Sequence, residues 1–113
     1  MRTVSPPAGP NSLPHKVSFD RAELTRILNV YGRRVAAGEW RDYAIDALAD
    51  RAVFSIYRHA SEAPIYRIEK VPALARRQGA YGVIAMEGRI LKRGAELEAV
   101  LKVFDKKRFN IID

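Results

Sequence analysis

The chain has 113 residues, the usual size of one domain, and 48% of them are hydrophobic, which is enough for one ordinary core. It contains no cysteine, so disulfide bridges and thiolate metal sites are excluded. The formal net charge of +7 favours an anionic partner such as nucleic acid.

The first sixteen residues differ in composition from the rest. They contain four prolines with Ser, Asn and Gly between them, which predicts a disordered arm over 1–16 and a single α+β domain over 17–113. The arm lacks the apolar stretch of a signal peptide, and no run of about 18 apolar residues could span a membrane. We therefore expect a cytoplasmic protein without membrane contact.

The first helix has the clearest local signals. Asp20 and Glu23 form a capping box, and Gly38 supplies the left-handed residue that ends the helix. An apolar stripe recurs at helical spacing between them and is predicted to face the core: Leu24, Ile27, Leu28, Tyr31 and Val35.

Beyond Trp40 the pattern changes to short runs rich in β-branched and aromatic residues, which predict strands at 42–48, 52–58, 65–71, 81–86 and 89–93. Pairing the second and third strands as a hairpin puts Phe54 and Ile56 on one face with Tyr66 and Ile68. The opposite face then carries Ser55, Tyr57, Arg67 and Glu69.

Two further helices complete the predicted fold. Pro72 and Gly79 bracket a short helical turn over 72–78, and an apolar stripe predicts a last helix over about 95–107. The predicted fold is therefore α+β, with a five-stranded, mainly antiparallel sheet and two main helices on one face.

Six segments together resemble a known family. They read VSFDRAEL at 17–24, VAAGEWRDYAID at 35–46, DRAVFS at 50–55, YRIEK at 66–70, RQGAY at 77–81 and ILKRG at 90–94. The chain is identified by them as similar to alphaproteobacterial proteins of domain of unknown function number twenty-seven ninety-four. The resemblance implies a bacterial, cytoplasmic setting and carries over no catalytic residue.

Motifs of catalysis and cofactor binding are absent from the sequence. His15 and His59 stand alone, and no nucleophile elbow, Walker loop or dinucleotide-binding glycine loop occurs. We predict no catalytic residue, metal or cofactor. The alternative is an enzyme that pairs Arg41 or Arg67 with acidic residues of the middle segment: Asp42, Asp46, Asp50, Glu62 and Glu69.

Basic residues concentrate in the segment 71–93, which carries a net charge of +4. The residues that could contact an anion or nucleic acid are Arg76, Arg77, Arg89, Lys92 and Arg93, joined by Tyr57 and Arg67 on the sheet face. The alternatives are a charged surface that only keeps the protein soluble, and a Tyr57–Arg67 pair that only stabilises the sheet.

Strands four and five are apolar on both faces, so helices on one face cannot cover them. This predicts a homodimer whose interface includes Val83, Ala85 and Ile90, with Trp40 as a further interface residue; the alternative is that Trp40 closes the core. The function predicted is a non-catalytic binding or regulatory module for a protein or an anionic ligand, with nucleic-acid binding and an acidic/arginine enzyme as the alternatives. The small-molecule ligand is left open.

Overall fold

The computed structural model describes residues 15–59 and 62–105. Most of the predicted arm and the end of the predicted last helix lie outside the described residues. Within them, α1 spans Arg21–Ala36 and α2 spans Leu97–Leu101, followed by a 3-10 turn over Lys102–Asp105. The strands are β1 Asp42–Ala47, β2 Ala52–Tyr57, β3 Tyr66–Lys70, β4 Tyr81–Ala85 and β5 Ile90–Gly94.

The five strands form one antiparallel sheet in the order of the chain, β1 to β5. Four-residue turns join β1 to β2 and β4 to β5, and a 3-10 turn at Pro72–Leu74 lies between β3 and β4. The predicted α+β architecture is confirmed. The short helical turn predicted over 72–78 is present as a 3-10 turn, and hydrogen-bonded turns continue beyond it, since the Arg77 and Gln78 N–H groups both donate to the Leu74 carbonyl.

The register between β2 and β3 is the one that segregation of polar and apolar residues predicted. Phe54 lies opposite Ile68 and Ile56 opposite Tyr66, while Ser55 lies opposite Arg67. Because successive side chains alternate between the faces of a sheet, this register separates an apolar face from a polar one.

Both helices lie on the apolar face and bury it. The core contains Ile27 and Val30 of α1, Val100 of α2 and Phe104, packed with Phe54 and its neighbours on the sheet. We call this the helix face and the opposite one the open face. The open face carries Asp42, Ala44 and Asp46 of β1, Val53, Ser55 and Tyr57 of β2, Arg67 and Glu69 of β3, Gly82 and Ile84 of β4, and Ile90 and Arg93 of β5.

Trp40 belongs to the core. It is buried and packs against Tyr31, Tyr66 and Phe104, with ring centroids 5.0 Å apart for the last of these. An edge-to-face ring contact of this kind adds to the energy of area burial. The tryptophan therefore closes one end of the core, and it is not exposed as an interface residue would be.

The apolar stripe of α1 lies differently from the expected one. The buried residues are Glu23, Ile27 and Val30, whereas Leu28 and Val35 are exposed. Viewed down a helix with 3.6 residues per turn, Leu28 and Val35 lie about 80–100° from Ile27, at the flank of the buried stripe.

A β-bulge also shifts the pairing of β5. Strict alternation placed Ile90 on the same face as Val83, but the register shifts between Val83 and Ile84, and Ile84 pairs with Ile90. Ile90 therefore lies on the open face, while Leu91 packs against the core. A bulge inserts one extra residue into a strand, and this residue reverses the alternation beyond it.

The capping box at the start of α1 generates a prediction for stability. The Asp20 side chain accepts a hydrogen bond from the Glu23 backbone N–H at 2.8 Å, and the Glu23 side chain accepts one from the Asp20 N–H at 2.8 Å. The variant Asp20→Ala should lower the free energy of unfolding by about 0.5–2 kcal/mol in urea titrations, because one helix N–H loses its acceptor. The exposed Thr25→Ala is the control, and an Asp20→Ala loss no larger than that of Thr25→Ala would contradict the cap.

Candidate functional site

The open face carries a buried carboxylate at its centre. Glu69 of β3 lies opposite Val53 of β2 and Gly82 of β4, and Gly82 in turn lies opposite Arg93 of β5. Only 7% of the Glu69 side chain is exposed. Burying a charge costs several kcal/mol unless other charges compensate it, so the neighbours of Glu69 decide whether the fold tolerates it.

Three guanidinium groups surround this carboxylate. Arg51 Nη1 donates a hydrogen bond to Glu69 Oε1 at 3.2 Å. Arg67 Nε lies 3.6 Å from Oε2, and Arg93 Nη2 lies 4.0 Å from Oε1. We call Arg51, Arg67, Arg93 and Glu69 the arginine cluster.

Arg51 enters the cluster from the turn between β1 and β2. Arg51 directly precedes β2, and it joins Asp50 on its outer side through hydrogen bonds of 3.3 and 3.2 Å. The bond to Asp50 raises the pKa of Arg51 above its ordinary value, with a further contribution from the nearby Glu69. Arg51 is therefore cationic at every physiological pH.

Gly82 makes room for the third arginine. A Cβ atom added at Gly82 would stand 3.0 Å from Cζ of Arg93, so the guanidinium lies directly over the glycine. The Arg93 side chain is 12% exposed, and its Nε and Nη1 atoms are buried without a hydrogen-bond partner in the described structure. A buried donor of this kind costs about 1–3 kcal/mol, and more when it is charged, unless it finds an acceptor.

The structure brings together only some of the predicted contact residues. Arg67 and Arg93 meet in the cluster. Tyr57 lies on the same face of the sheet and is the diagonal cross-strand neighbour of Arg67. Arg76 and Arg77 are exposed in the loop before β4, whereas Arg89 lies in the turn after it and pairs with Glu87 at 3.1 Å. These two groups lie at opposite ends of β4. Because five residues of a strand extend about 17 Å, they are too far apart to act together.

Sequence reasoning missed Arg51 and the central position of Glu69. Arg51 and Glu69 are separated by 18 residues and meet only when the strands pair. The signal that could have found them is the cross-strand register, which also places Glu69 between an arginine-bearing turn and β5.

The residues of the predicted dimer interface do not share one surface. Val83 and Ala85 are buried beneath the helices, Trp40 is buried in the core, and Ile90 is 53% exposed on the open face. Lys92 is exposed on β5.

The acidic residues of the enzyme alternative are dispersed as well. Asp42 and Asp46 lie on the edge strand β1, Asp50 lies in the β1–β2 turn, and Glu62 lies in the loop before β3. Only Glu69 is buried. Among residues 15–59 and 62–105, no three His, Cys, Asp or Glu side chains are grouped so that they could hold a metal ion.

A second buried carboxylate lies on the helix face. Glu23 accepts a hydrogen bond from Lys70 Nζ at 2.9 Å and another from the Tyr81 hydroxyl, in addition to its part in the helix cap. Burial, the largest single influence, raises the pKa of Glu23, but the bonds from Lys70, Tyr81 and the Asp20 backbone together outweigh it and lower the pKa. Burial and the bond to Glu23 raise the pKa of Tyr81 to about 12.

Two hollows on this side are small. A groove of about 190 Å³ between α1 and α2 is bordered by the ion pairs Arg26–Glu98 and Arg33–Asp105. Another of about 170 Å³ lies beside Glu23 and Tyr81. Pockets for small organic ligands usually enclose about 300–1,000 Å³, so neither hollow has the size of one.

Comparison with known proteins adds a family. Residues 17–101 match the family described as a protein of unknown function, DUF2794. The chain belongs to this family. No curated protein matches the chain, and no solved structure matches it.

The family match confirms the resemblance seen in the six sequence segments. It extends from before α1 to the last residue of α2 and includes all five strands. The arginine cluster therefore lies entirely within the part of the chain that the family covers.

In the described part of the chain, no helix is both long and apolar enough to cross a membrane.

The lowered pKa of Glu23 gives a pH prediction. A carboxylate with a depressed folded-state pKa stabilises the fold above its unfolded pKa, and this stability is lost as the pH falls through the folded value. We expect the stability of the protein to decrease below about pH 4.5. In the variant Glu23→Gln, which keeps an oxygen to cap α1, this acid-dependent loss should be smaller.

The measurement is the free energy of unfolding in urea from neutral to acid pH. Glu98→Gln is the control, since the Glu98 side chain is 71% exposed and should leave the acid-dependent loss unchanged. If Glu23→Gln retains the full loss seen in the unaltered protein, the Glu23 network does not cause it.

Proposed function

We propose that this protein is a non-catalytic binding module whose arginine cluster binds an oxyanion, such as the phosphate group of a small ligand. The observation that carries the proposal is the convergence of three guanidinium groups on one carboxylate, with two nitrogen atoms of Arg93 left without a partner. Guanidinium groups bind phosphate and carboxylate in preference to other groups because their N–H donors form a planar fork.

The balance of donors and acceptors in the cluster favours a bound anion. Each guanidinium has five N–H donors, whereas one carboxylate accepts about four hydrogen bonds. Asp50 occupies two nitrogens of Arg51. Arg67 reaches Glu69 only at ion-pair distance and its side chain is 32% exposed, so its remaining donors face solvent. The oxygens of an anion would supply the acceptors that Arg67 and Arg93 lack.

The same geometry argues for binding rather than catalysis. A general base must have a free carboxylate oxygen to take a proton, but Oε1 and Oε2 of Glu69 both face guanidinium groups. Glu69 thus acts as the anchor that gathers the arginines. The absence of cysteine suits a reducing compartment, and we propose that the module acts in the cytoplasm.

The structure favours a compact anion over a long nucleic-acid strand. A strand-binding surface needs a continuous basic track with aromatic rings for the bases. Here Arg76 and Arg77 lie at one end of β4 and Arg89 at the other, and Arg89 is paired with Glu87. The basic residues of the segment 71–93 are therefore dispersed, and only Arg93 of this segment joins the arginine cluster.

The test is calorimetric titration of the protein with inorganic phosphate at constant ionic strength. We expect saturable binding that weakens about tenfold or more in Arg67→Gln, because a hydrogen bond to a charged group contributes about 1.5–3 kcal/mol. Arg76→Gln removes the same charge outside the cluster and should leave the affinity unchanged.

Two outcomes would contradict the proposal. One is an equal loss of affinity in Arg67→Gln and Arg76→Gln, which would mean that phosphate responds only to net charge. The other is phosphate binding that none of the cluster variants weakens. A single-stranded oligonucleotide serves as the second probe, and tight oligonucleotide binding lost in an Arg76→Gln, Arg77→Gln double variant would favour the nucleic-acid alternative instead.

A further inference from the structure

Exposed apolar side chains gather along one margin of the molecule. Five of the seven large hydrophobic residues exposed in the described part of the chain lie there, each between 38% and 46% exposed. They belong to α1, to β1 and to the turn after β1. We call this surface the α1–β1 margin; its residues are Leu28, Gly32, Val35, Tyr43, Ile45 and Leu48.

The margin is continuous because α1 leans on β1. The ring of Tyr31 contacts that of Tyr43 at a centroid distance of 5.0 Å, and Tyr43 stacks on Phe54 at 4.9 Å. Helical periodicity places Leu28 and Val35 on the flank of α1 that carries Tyr31. The opposite flank, with Arg26 and Arg33, faces α2 through its ion pairs. One flank of α1 is therefore paired and the other is exposed.

The two edges of the sheet are protected to different degrees. Natural edge strands avoid pairing with other chains by carrying charged side chains, Lys most often, by carrying Pro, or by a β-bulge. β5 has Lys92, Arg93 and the bulge beside Ile84. β1 has the sequence DYAIDA, as long as β2, and contains no Lys, Pro or bulge; its two charged residues, Asp42 and Asp46, lie on the open face.

The hydrogen bonding of β1 shows which groups are directed outward. The Leu48 N–H donates to the Arg51 carbonyl at 2.8 Å and is therefore directed toward β2, whereas the Leu48 carbonyl accepts from the Val17 N–H at 2.8 Å, so the segment before α1 lies against the end of β1. Backbone groups in an antiparallel strand alternate in direction. Tyr43, Ile45 and Ala47 therefore direct their N–H and C=O groups away from β2, toward the open edge.

Gly32 supports close approach by another helix. It lies within α1, where glycine costs about 1 kcal/mol relative to alanine. A Cβ atom added there would meet nothing within 4 Å, and the glycine has no positive φ that would require it. Packing within the chain therefore gives no reason for a glycine on this flank.

We propose that the α1–β1 margin is the interface of a two-fold homodimer, in which β1 pairs antiparallel with β1 of a second copy to form a ten-stranded sheet. A two-fold axis perpendicular to the sheet keeps the helices of both copies on one side. The Leu28, Gly32 and Val35 flanks of the two α1 helices then face each other across the axis, and Gly32 lets them come close.

The charges of β1 select one register. With Ile45 on the axis, Ile45 lies opposite its counterpart, Tyr43 opposite Ala47, and Asp46 opposite Ala44. With Ala44 on the axis, Asp42 would lie directly opposite Asp46, and like charges in that position are destabilising. In the first register the Asp46 carboxylates of the two copies are only diagonal neighbours, where solvent and salt screen their repulsion.

A second copy accounts for these features together. An isologous interface requires a surface that is complementary to itself, and β1 in this register pairs apolar with apolar residues on the helix face. The dimer does not involve the arginine cluster, because β1 separates the two-fold axis from Glu69 at the centre of the sheet. Its test is therefore independent of anion binding.

Single cysteines test the dimer and its register, since the natural chain contains none. Residues of a hydrogen-bonded pair have Cα atoms about 5.5 Å apart, within the range of about 4.4–6.8 Å that a disulfide bridges. Under mild oxidation by oxidised glutathione, Ile45→Cys should cross-link into a covalent dimer at least about tenfold faster than Ile90→Cys, which is similarly exposed on the other edge.

Cross-linking of Ile45→Cys no faster than that of Ile90→Cys would overturn the proposal, and faster cross-linking of Ala44→Cys than of Ile45→Cys would overturn its register. Sedimentation equilibrium provides the second measurement. We expect twice the chain mass of 12.7 kDa for the unaltered protein and for Ile90→Lys, and the single chain mass for a folded Ile45→Lys. A single chain mass for the unaltered protein at all concentrations would also overturn the proposal.

Discussion

Both α-helices of the described chain lie on one face of a two-faced sheet, and this one-sided cover governs the rest of the structure. On the helix face, apolar residues bury one another in the ordinary way. On the open face, Glu69 is buried at the centre of the sheet, and the energy of that burial must be offset by charges that the sheet itself supplies. Arg51, Arg67 and Arg93 supply them.

The three arginines offset the charge of Glu69, and together they offer more N–H donors than its carboxylate can accept. A single carboxylate with one guanidinium would be a structural ion pair, whereas three guanidiniums leave donors that the carboxylate cannot satisfy. Gly82 adds to this arrangement because the missing side chain lets the Arg93 guanidinium lie against the sheet. This surplus of fixed donors is the feature that supports the proposed binding of an anion.

A second buried carboxylate holds α1 on the sheet. Glu23 caps the helix and also accepts hydrogen bonds from Lys70 of β3 and Tyr81 of β4. Lys70 donates in addition to the Ser18 carbonyl, so the segment before α1 is tied to the same point. The position of α1 determined in this way leaves its Leu28 and Val35 flank at the margin beside β1.

The parts of the fold that sequence predicted are those set by local chemistry. The capping box, the left-handed Gly38 and the alternation in β2 and β3 each depend on residues close together in the chain, and the register followed from segregation of polar and apolar faces. The β-bulge in β5 reverses alternation by one residue and leaves no clear pattern in the sequence. Arg51 was not assigned to the cluster because it precedes β2, and its contact with Glu69 follows only when the cross-strand register is extended into the turn before that strand.

Binding of an anion by the arginine cluster can be observed at the guanidinium groups themselves. Nuclear magnetic resonance of ¹⁵N-labelled protein resolves the Nε–H signals of arginine side chains during a phosphate titration. We expect saturable shifts for Arg51, Arg67 and Arg93, with the exposed Arg76 and Arg77 almost unaffected. Shifts of equal size for all arginines, or no shift in the cluster at saturating phosphate, would contradict it.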